Sequence, residues 1–290
     1  MKKILVMLLC LATFIMAGCG DKYAKEKEAI TKAEKAAMAM ELPVVKRPDF
    51  SKTPKPTNEE RQKLWKQYRE NFSKLVAVEE KMLEEMRKSD AQIAELEKKA
   101  ESDSDKKNLK EFKDKLRKDR IEFVKKVSKG RLYGDPFIVG CGSTWQEVEM
   151  VYGKPLNAGE NHPGAMAYKY NGIIFQDWMG GGVPPLEARK KWKSSSVEVV
   201  TVTRNDITSD AGVKLGMTQE EVQKALKAKY VKKSVYPKNG FEFEKTINSL
   251  SKNEYYGVMH YSMKDTEPVF YTGYEFQDGK LIKCFESMKP

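Results

Sequence analysis

The chain has 290 residues, with 53 Lys and Arg against 42 Asp and Glu, a formal net charge of +11, and only two His and four Cys. That length accommodates two structural units and a tether. Two histidines exclude a multi-histidine zinc site, and neither His162 nor His260 stands at metal-ligand spacing from a cysteine or from the other. The positive charge is uneven, about +8 in residues 22–130 and about +2 from Arg131 onward. Basic surfaces of this kind attract anionic lipid, polyanions or nucleic acid, so location has to choose among them.

The N-terminus speaks to location. Lys2-Lys3 precedes an apolar stretch from Ile4 to Met16 that is too short to span a bilayer as a helix. It ends in Met16-Ala17-Gly18-Cys19, which resembles a bacterial lipobox. The resemblance implies that residues 1–18 are a cleaved signal peptide and that Cys19 carries a diacylglyceryl anchor with acyl chains such as palmitate. The alternative is an ordinary cleaved signal peptide that contains Cys19. The lipobox predicts a lipoprotein of the bacterial cell envelope, held to a membrane by Cys19 and facing the periplasm or the cell exterior; inner against outer membrane stays open. That compartment excludes nucleic acid as partner. Cys10 leaves with the signal. Cys141 and Cys284 are then either a disulfide closing two repeats on each other or two small buried apolar residues.

Residues 19–58 read as tether and Pro-rich linker. Residues 22–40 are a Lys- and Ala-rich helix or disordered tether, and Pro43, Pro48, Pro54 and Pro56 predict an extended spacer that lifts the folded body off the lipid. Residues 59–130 predict an antiparallel helical hairpin with a coiled-coil seam. Thr57-Asn58-Glu59-Glu60 opens it with a capping-box pattern. Trp65, Phe72, Met86, Ile93 and Ala100 fall on one set of seven-residue steps, and Tyr68, Leu75, Met82 and Leu96 on the set three later, with Glu79 and Ser89 as exceptions. Glu101 to Asp105 interrupts the seam. A second helix then sets Leu109, Phe112, Leu116 and Phe123 on one face and ends at Gly130. A parallel self-associating coiled coil is the alternative, and the lysines here read as a solvated face.

The remainder is organised by a stretch that occurs twice. Val139-Gly140-Cys141-Gly142-Ser143-Thr144-Trp145-Gln146-Glu147-Val148 and residues Val213 to Val222 share the frame V-x-x-G-x-T-x-x-E-V. In each copy Gly permits a tight turn, and Thr with the Glu three residues on forms a capping box: Thr144 with Glu147, Thr218 with Glu221. An apolar face follows, through Val148, Val151 and Tyr152 in one copy and Val222, Ala225 and Leu226 in the other. Strand-like segments come next: 166–170 and 173–178 around the Asn171-Gly172 hairpin signal, then 197–203. In the second copy they are 255–263, 269–276 and 281–286, after a longer insertion at 231–254. The fold class predicted is α+β, a helical hairpin followed by two tandem helix-plus-antiparallel-sheet repeats at 131–210 and 211–290.

The frame, the Gly153-Lys154-Pro155 stop and Tyr168-x-Tyr170-x-Gly172-Ile173-x-Phe175 resemble the repeat of β-lactamase inhibitory protein and the SmpA/OmlA (BamE-like) lipoproteins. The resemblance implies action by binding other proteins across sheet or loops, without cofactors. No G-x-S-x-G elbow or H-E-x-x-H motif is present, and a pair such as Asp177 with Glu187 arises freely among so many carboxylates. The chain therefore reads as a non-enzymatic envelope lipoprotein that binds or scaffolds another envelope protein. Binding of a small ligand or peptidoglycan on an aromatic sheet (Tyr255, Tyr256, Tyr261, Tyr271, Tyr274) is the alternative. Arg189, Lys190, Lys191, Trp192 and Lys193 form a candidate headgroup-contact loop, with ordinary loop surface as the bland reading.

Overall fold

A computed structural model describes residues 21–46, 48, 56–132, 136–162, 165–178, 195–230, 241–247, 254–261 and 268–288. Cys19 and the loop from Arg189 to Lys193 lie outside them, as does Glu187. The protein is α+β, with α1 (Ala24–Met38), α2 (Asn58–Lys99), α3 (Asp103–Ser128), α4 (Trp145–Tyr152) and α5 (Gln219–Tyr230). Eight strands follow or interleave with these: β1 (Asn157–His162), β2 (Ala165–Tyr170), β3 (Ile173–Trp178), β4 (Val199–Val202), β5 (Phe241–Ile247), β6 (Glu254–Tyr261), β7 (Pro268–Gln277) and β8 (Lys280–Met288). They form one antiparallel sheet in the order β1-β2-β3-β4-β8-β7-β6-β5, so the last strands of the two halves meet at its centre.

Thr57 caps α2 as its sequence requires, with both capping-box bonds to Glu60. The seam residues Phe72, Leu75, Met82, Met86, Ile93 and Leu96 are buried, while Trp65 and Tyr68 are half-buried. The α2 and α3 helices run antiparallel: Lys113 pairs with Glu97 at 3.2 Å, and Arg120 with Asp90 at 2.9 Å. A third helix joins them. Residues 24–38 form α1, whose Ile30 is buried with Ile93, Leu96, Leu109 and Leu116. Glu34 of α1 is ion-paired with Arg120, which also donates to the Met86 carbonyl. Burial works against that guanidinium's charge, but Glu34 and Asp90 outweigh it and raise its pKa. Of the two expectations for residues 22–40, the helix is the one found, and it is packed rather than a tether because its Ile30, Glu34 and Ala37 lie along one helical face.

The expected boundary near Arg131 is crossed by the core. Ala37, Met82, Leu83, Met86 and Val124 of the helices share one buried cluster with Phe137, Trp145, Val148, Phe175, Val200 and Tyr274 of the sheet half. Every residue of α4 from Trp145 to Val151 is buried, so this helix lies between the sheet and the α2–α3 pair. An eight-residue helix is marginal alone. Burying each large apolar side chain is worth about 1.5–3 kcal/mol, and here packing from two sides supplies it.

Two strands are additional to those predicted, β1 within the polar run Asn157-Ala158-Gly159-Glu160-Asn161-His162 and β5 within the expected insertion. Each makes its half a four-stranded meander. Gly142 and Gly216, the glycines of the duplicated frame, both have positive φ (92° and 86°), which glycine adopts without penalty. The frame then docks alike in both halves: the Gly142 amide donates to the Val197 carbonyl, and the Gly216 amide to that of Leu281, each at 2.8 Å.

The disulfide alternative is overturned. Cys141 and Cys284 are buried thiols with no bond between them. The Cys141 Sγ donates to the Glu198 carbonyl, whereas Cys284 pairs across the sheet with Val202. Glu198 and Val202 are four residues apart, so the two thiols face different levels of the chain.

Candidate functional site

An open cleft of about 760 Å³ lies where α2 faces the turn between α4 and β1. Helical spacing brings Leu83, Arg87 and Asp90 of α2 to its wall at i, i+4 and i+7. The opposite wall is the run from Gly153 to Ala158, and Tyr168 of β2 forms part of the lining. Gly153 ends α4 with φ 75°, its amide bonded to the Glu149 carbonyl at 2.7 Å; Pro155 forbids a further turn of helix. The Leu156 amide donates to the Lys169 carbonyl, so the turn is tied to β2 while the Leu156 side chain is 78 % exposed.

The charges in the cleft are largely compensated within the protein. Arg87 donates Nε and Nη2 to the two Glu149 oxygens, both at 2.7 Å, and Nη1 to Glu80 at 3.0 Å. This fork, led by the Glu149 bond, raises the guanidinium pKa. Gln146 closes the arrangement by donating to the other Glu80 oxygen at 2.8 Å. Asp90 is taken by Arg120. Burial raises the Tyr168 phenol above its ordinary pKa, so it is a neutral ring and hydroxyl here, T-stacked on Trp145 at 4.9 Å. What the cleft presents is apolar surface from Leu83, Leu156, Ala158 and Tyr168, the exposed Lys154, and the border strand β1, which lies at one end of the sheet order.

Beneath the cleft, α2 and α4 are joined by a second cluster closed to solvent. Thr144 caps α4: its Oγ1 accepts from the Glu147 amide, and Glu147 returns a bond to the Thr144 amide, both 3.0 Å. The same hydroxyl donates to Glu79 of α2 at 2.6 Å. Glu147 is ion-paired with Arg131, and all four residues are buried. Burial, and then the neighbouring Glu147, push the Glu79 carboxyl well above the carboxylate range; burial opposes the Arg131 charge, but Glu147 and Glu79 raise it. These four side chains clamp α4 to α2 and to the segment that follows α3.

Thr218 and Glu221 make the same capping box on α5, with the return bond at 2.7 Å and the cap bond at 3.3 Å, at the surface. Asp177 is buried and accepts from Ser195, which also accepts from Trp145 Nε1 at 3.4 Å. Burial pushes the Asp177 pKa up to about 6, with the Ser195 bond opposing. Of the predicted aromatic sheet site, Tyr274 is in the core, and the Tyr255, Tyr256, Tyr261 and Tyr271 side chains lie outside the described residues. Sequence reasoning missed the cleft. It also missed the closed cluster beneath, for which the available signals were Glu79 interrupting an apolar seam and Arg131 at a presumed boundary.

Among the described residues, no group of three or more His, Cys, Asp and Glu is placed to hold a metal, and no helix is long and apolar enough to cross a membrane. The chain matches no family model, no curated protein and no solved structure.

Proposed function

We propose that this is a membrane-anchored envelope lipoprotein that binds another envelope protein without catalysis. In this reading its two helix-plus-meander halves are tandem repeats of the BamE-like kind. The reading rests on the lipobox at Cys19 and on the V-x-x-G-x-T-x-x-E-V frame. Support for the repeat comes from the matching positive-φ glycines, capping boxes and dockings of the two frames. The observation that carries the binding role is the cleft: its charges are compensated internally, while exposed Leu156 and the border strand β1 are left for a partner. An extended segment of a partner would add to β1 through main-chain bonds and set an apolar side chain against Leu83 and Leu156. A photo-crosslinking residue at Leu156 should capture a discrete envelope protein in intact cells, and the same residue at exposed Lys118 should not. Equal labelling at both positions, or none at Leu156, counts against the reading.

A second reading, a small-ligand or peptidoglycan-associated lipoprotein, is favoured by one observation: about 760 Å³ lies within the range of small-molecule sites. Saturable binding of purified muropeptides that Leu156→Asp abolishes, with no crosslinked protein, would select it.

A further inference from the structure

The start of the described chain is fastened to one end of the helical bundle. Tyr23 is buried; its hydroxyl donates to the Lys99 carbonyl at 2.8 Å and its amide to Asp21 at 3.1 Å. The Lys27 ammonium pairs with Asp21 at 2.8 Å, donates to the Asn108 carbonyl at 3.2 Å and stands 5.7 Å from the Phe112 ring centroid. From Asp21 onward, then, the chain is bound to the end of α2 and the start of α3. Two residue steps separate Cys19 from Asp21, at most about 7 Å of extended chain. A diacylglyceryl group on Cys19 would hold that residue at the headgroups.

We infer that the tip made of the α2–α3 turn and the first turn of α1 is the face set against the bilayer surface, with α2 standing away from it. This rests on the lipoprotein reading above. The clamp and cleft residues of α2, Glu79 to Arg87, lie 12–20 residues back from Lys99, so the sheet is carried about 18–30 Å above the tip. The far end of α2, Asn58, is about 60 Å away. In this orientation the Pro-rich segment would not set the distance from the lipid. Val45, ahead of most of it, already packs on Phe72 and Leu75, roughly 40 Å up α2 from Lys99. Stand-off comes from the rigid bundle. At the tip Lys22, Lys25, Lys27, Lys98, Lys99, Lys106 and Lys107 exceed Asp21, Glu26, Glu101, Asp103 and Asp105 by only two charges, so the occupant is the lipid surface itself, held mainly by the acyl chains rather than by anionic headgroups.

The test uses the full-length lipidated protein in phosphatidylethanolamine–phosphatidylglycerol vesicles carrying a headgroup spin label. Bimane is placed on Ser104→Cys at the tip or on Gln67→Cys, about 48 Å up α2. Burial keeps Cys141 and Cys284 from the label. Quenching should be more than threefold stronger at Ser104→Cys than at Gln67→Cys, and unchanged by raised salt. Equal or reversed quenching on protein whose mass carries the diacylglyceryl group overturns the orientation alone. A mass without acyl modification at Cys19 overturns the lipoprotein reading, and the orientation with it.

Discussion

The Thr144–Glu147 and Thr218–Glu221 capping boxes share a sequence frame and a bonding pattern, yet they occupy different environments. Thr144 and Glu147 are fully buried under α2, with Thr144 bonded to Glu79 and Glu147 paired to Arg131. On α5, Thr218 is half-buried, Glu221 is exposed, and the stripe of Val222 and Leu226 is the only buried part of the described helix face. Local spacing fixes how a helix begins; what lies over it fixes what the beginning is worth. In the first half α2 and α3 pack on the capped helix, and an ordinary N-terminus becomes a joint between layers.

The largest effect expected from this contrast is on the glutamates. Glu147→Gln leaves Arg131 buried without its ion-pair partner and should cost about 3 kcal/mol, whereas Glu221→Gln, at the surface, should cost a few tenths. Equilibrium urea unfolding of the full chain measures both, and equal losses would erase the distinction. Next are the threonines: Thr144→Ala removes a cap and the donor to Glu79 together and should cost about 2–3 kcal/mol. Thr218→Ala should cost about 1 kcal/mol or less.

A pH-dependent effect that becomes comparable only above pH 6 belongs to Asp177. Its folded pKa, about 6, is raised above the ordinary 3.8. The stability it contributes is therefore complete below the unfolded value and lost as pH rises through about 6. Asp177→Asn should stabilise the protein by about 3 kcal/mol at pH 8 and by about 0.5 kcal/mol at pH 4. A pH-independent difference would place the carboxyl in a different environment. A small effect at neutral pH is assigned to Glu79→Gln. The amide keeps the shape of a carboxyl whose charged form burial disfavours, so near neutral pH it should change stability by less than about 1 kcal/mol. The variant should gain on wild type as pH rises toward the raised folded pKa, since wild type then loses the contribution of the bound proton.

Much of the architecture could be read from the residues, because periodicity and capping are local. Thr57 with Glu60, the seam from Phe72 to Leu96, and the hairpin at Asn171-Gly172 needed no knowledge of neighbours. The failures share one cause. Strand β1 is polar because it borders the sheet and covers little, so no alternation marks it. The α1 segment reads as tether because one isoleucine, one glutamate and one alanine suffice to pack it against partners far along the chain. Glu79 looked like a flaw in a heptad seam, since the residues that complete it, Thr144, Glu147 and Arg131, come more than fifty positions later. The cleft was invisible for the same reason: Arg87 and Glu149 meet only once α4 is docked on α2.

The central claim is that α2 and α4 belong to one cooperative unit, with no autonomous body beginning near Arg131. Hydrogen exchange on the full chain, followed by mass spectrometry under native conditions, tests it most directly. The account predicts that amides of α2 around Met82 and Met86 and amides of α4 open with the same free energy. Glu147→Gln should lower that energy for both helices together, by about 3 kcal/mol. If α4 keeps the protection of β2 and β3 while α2 exchanges freely, the two layers are separate modules and the joint at Thr144 is not what holds them.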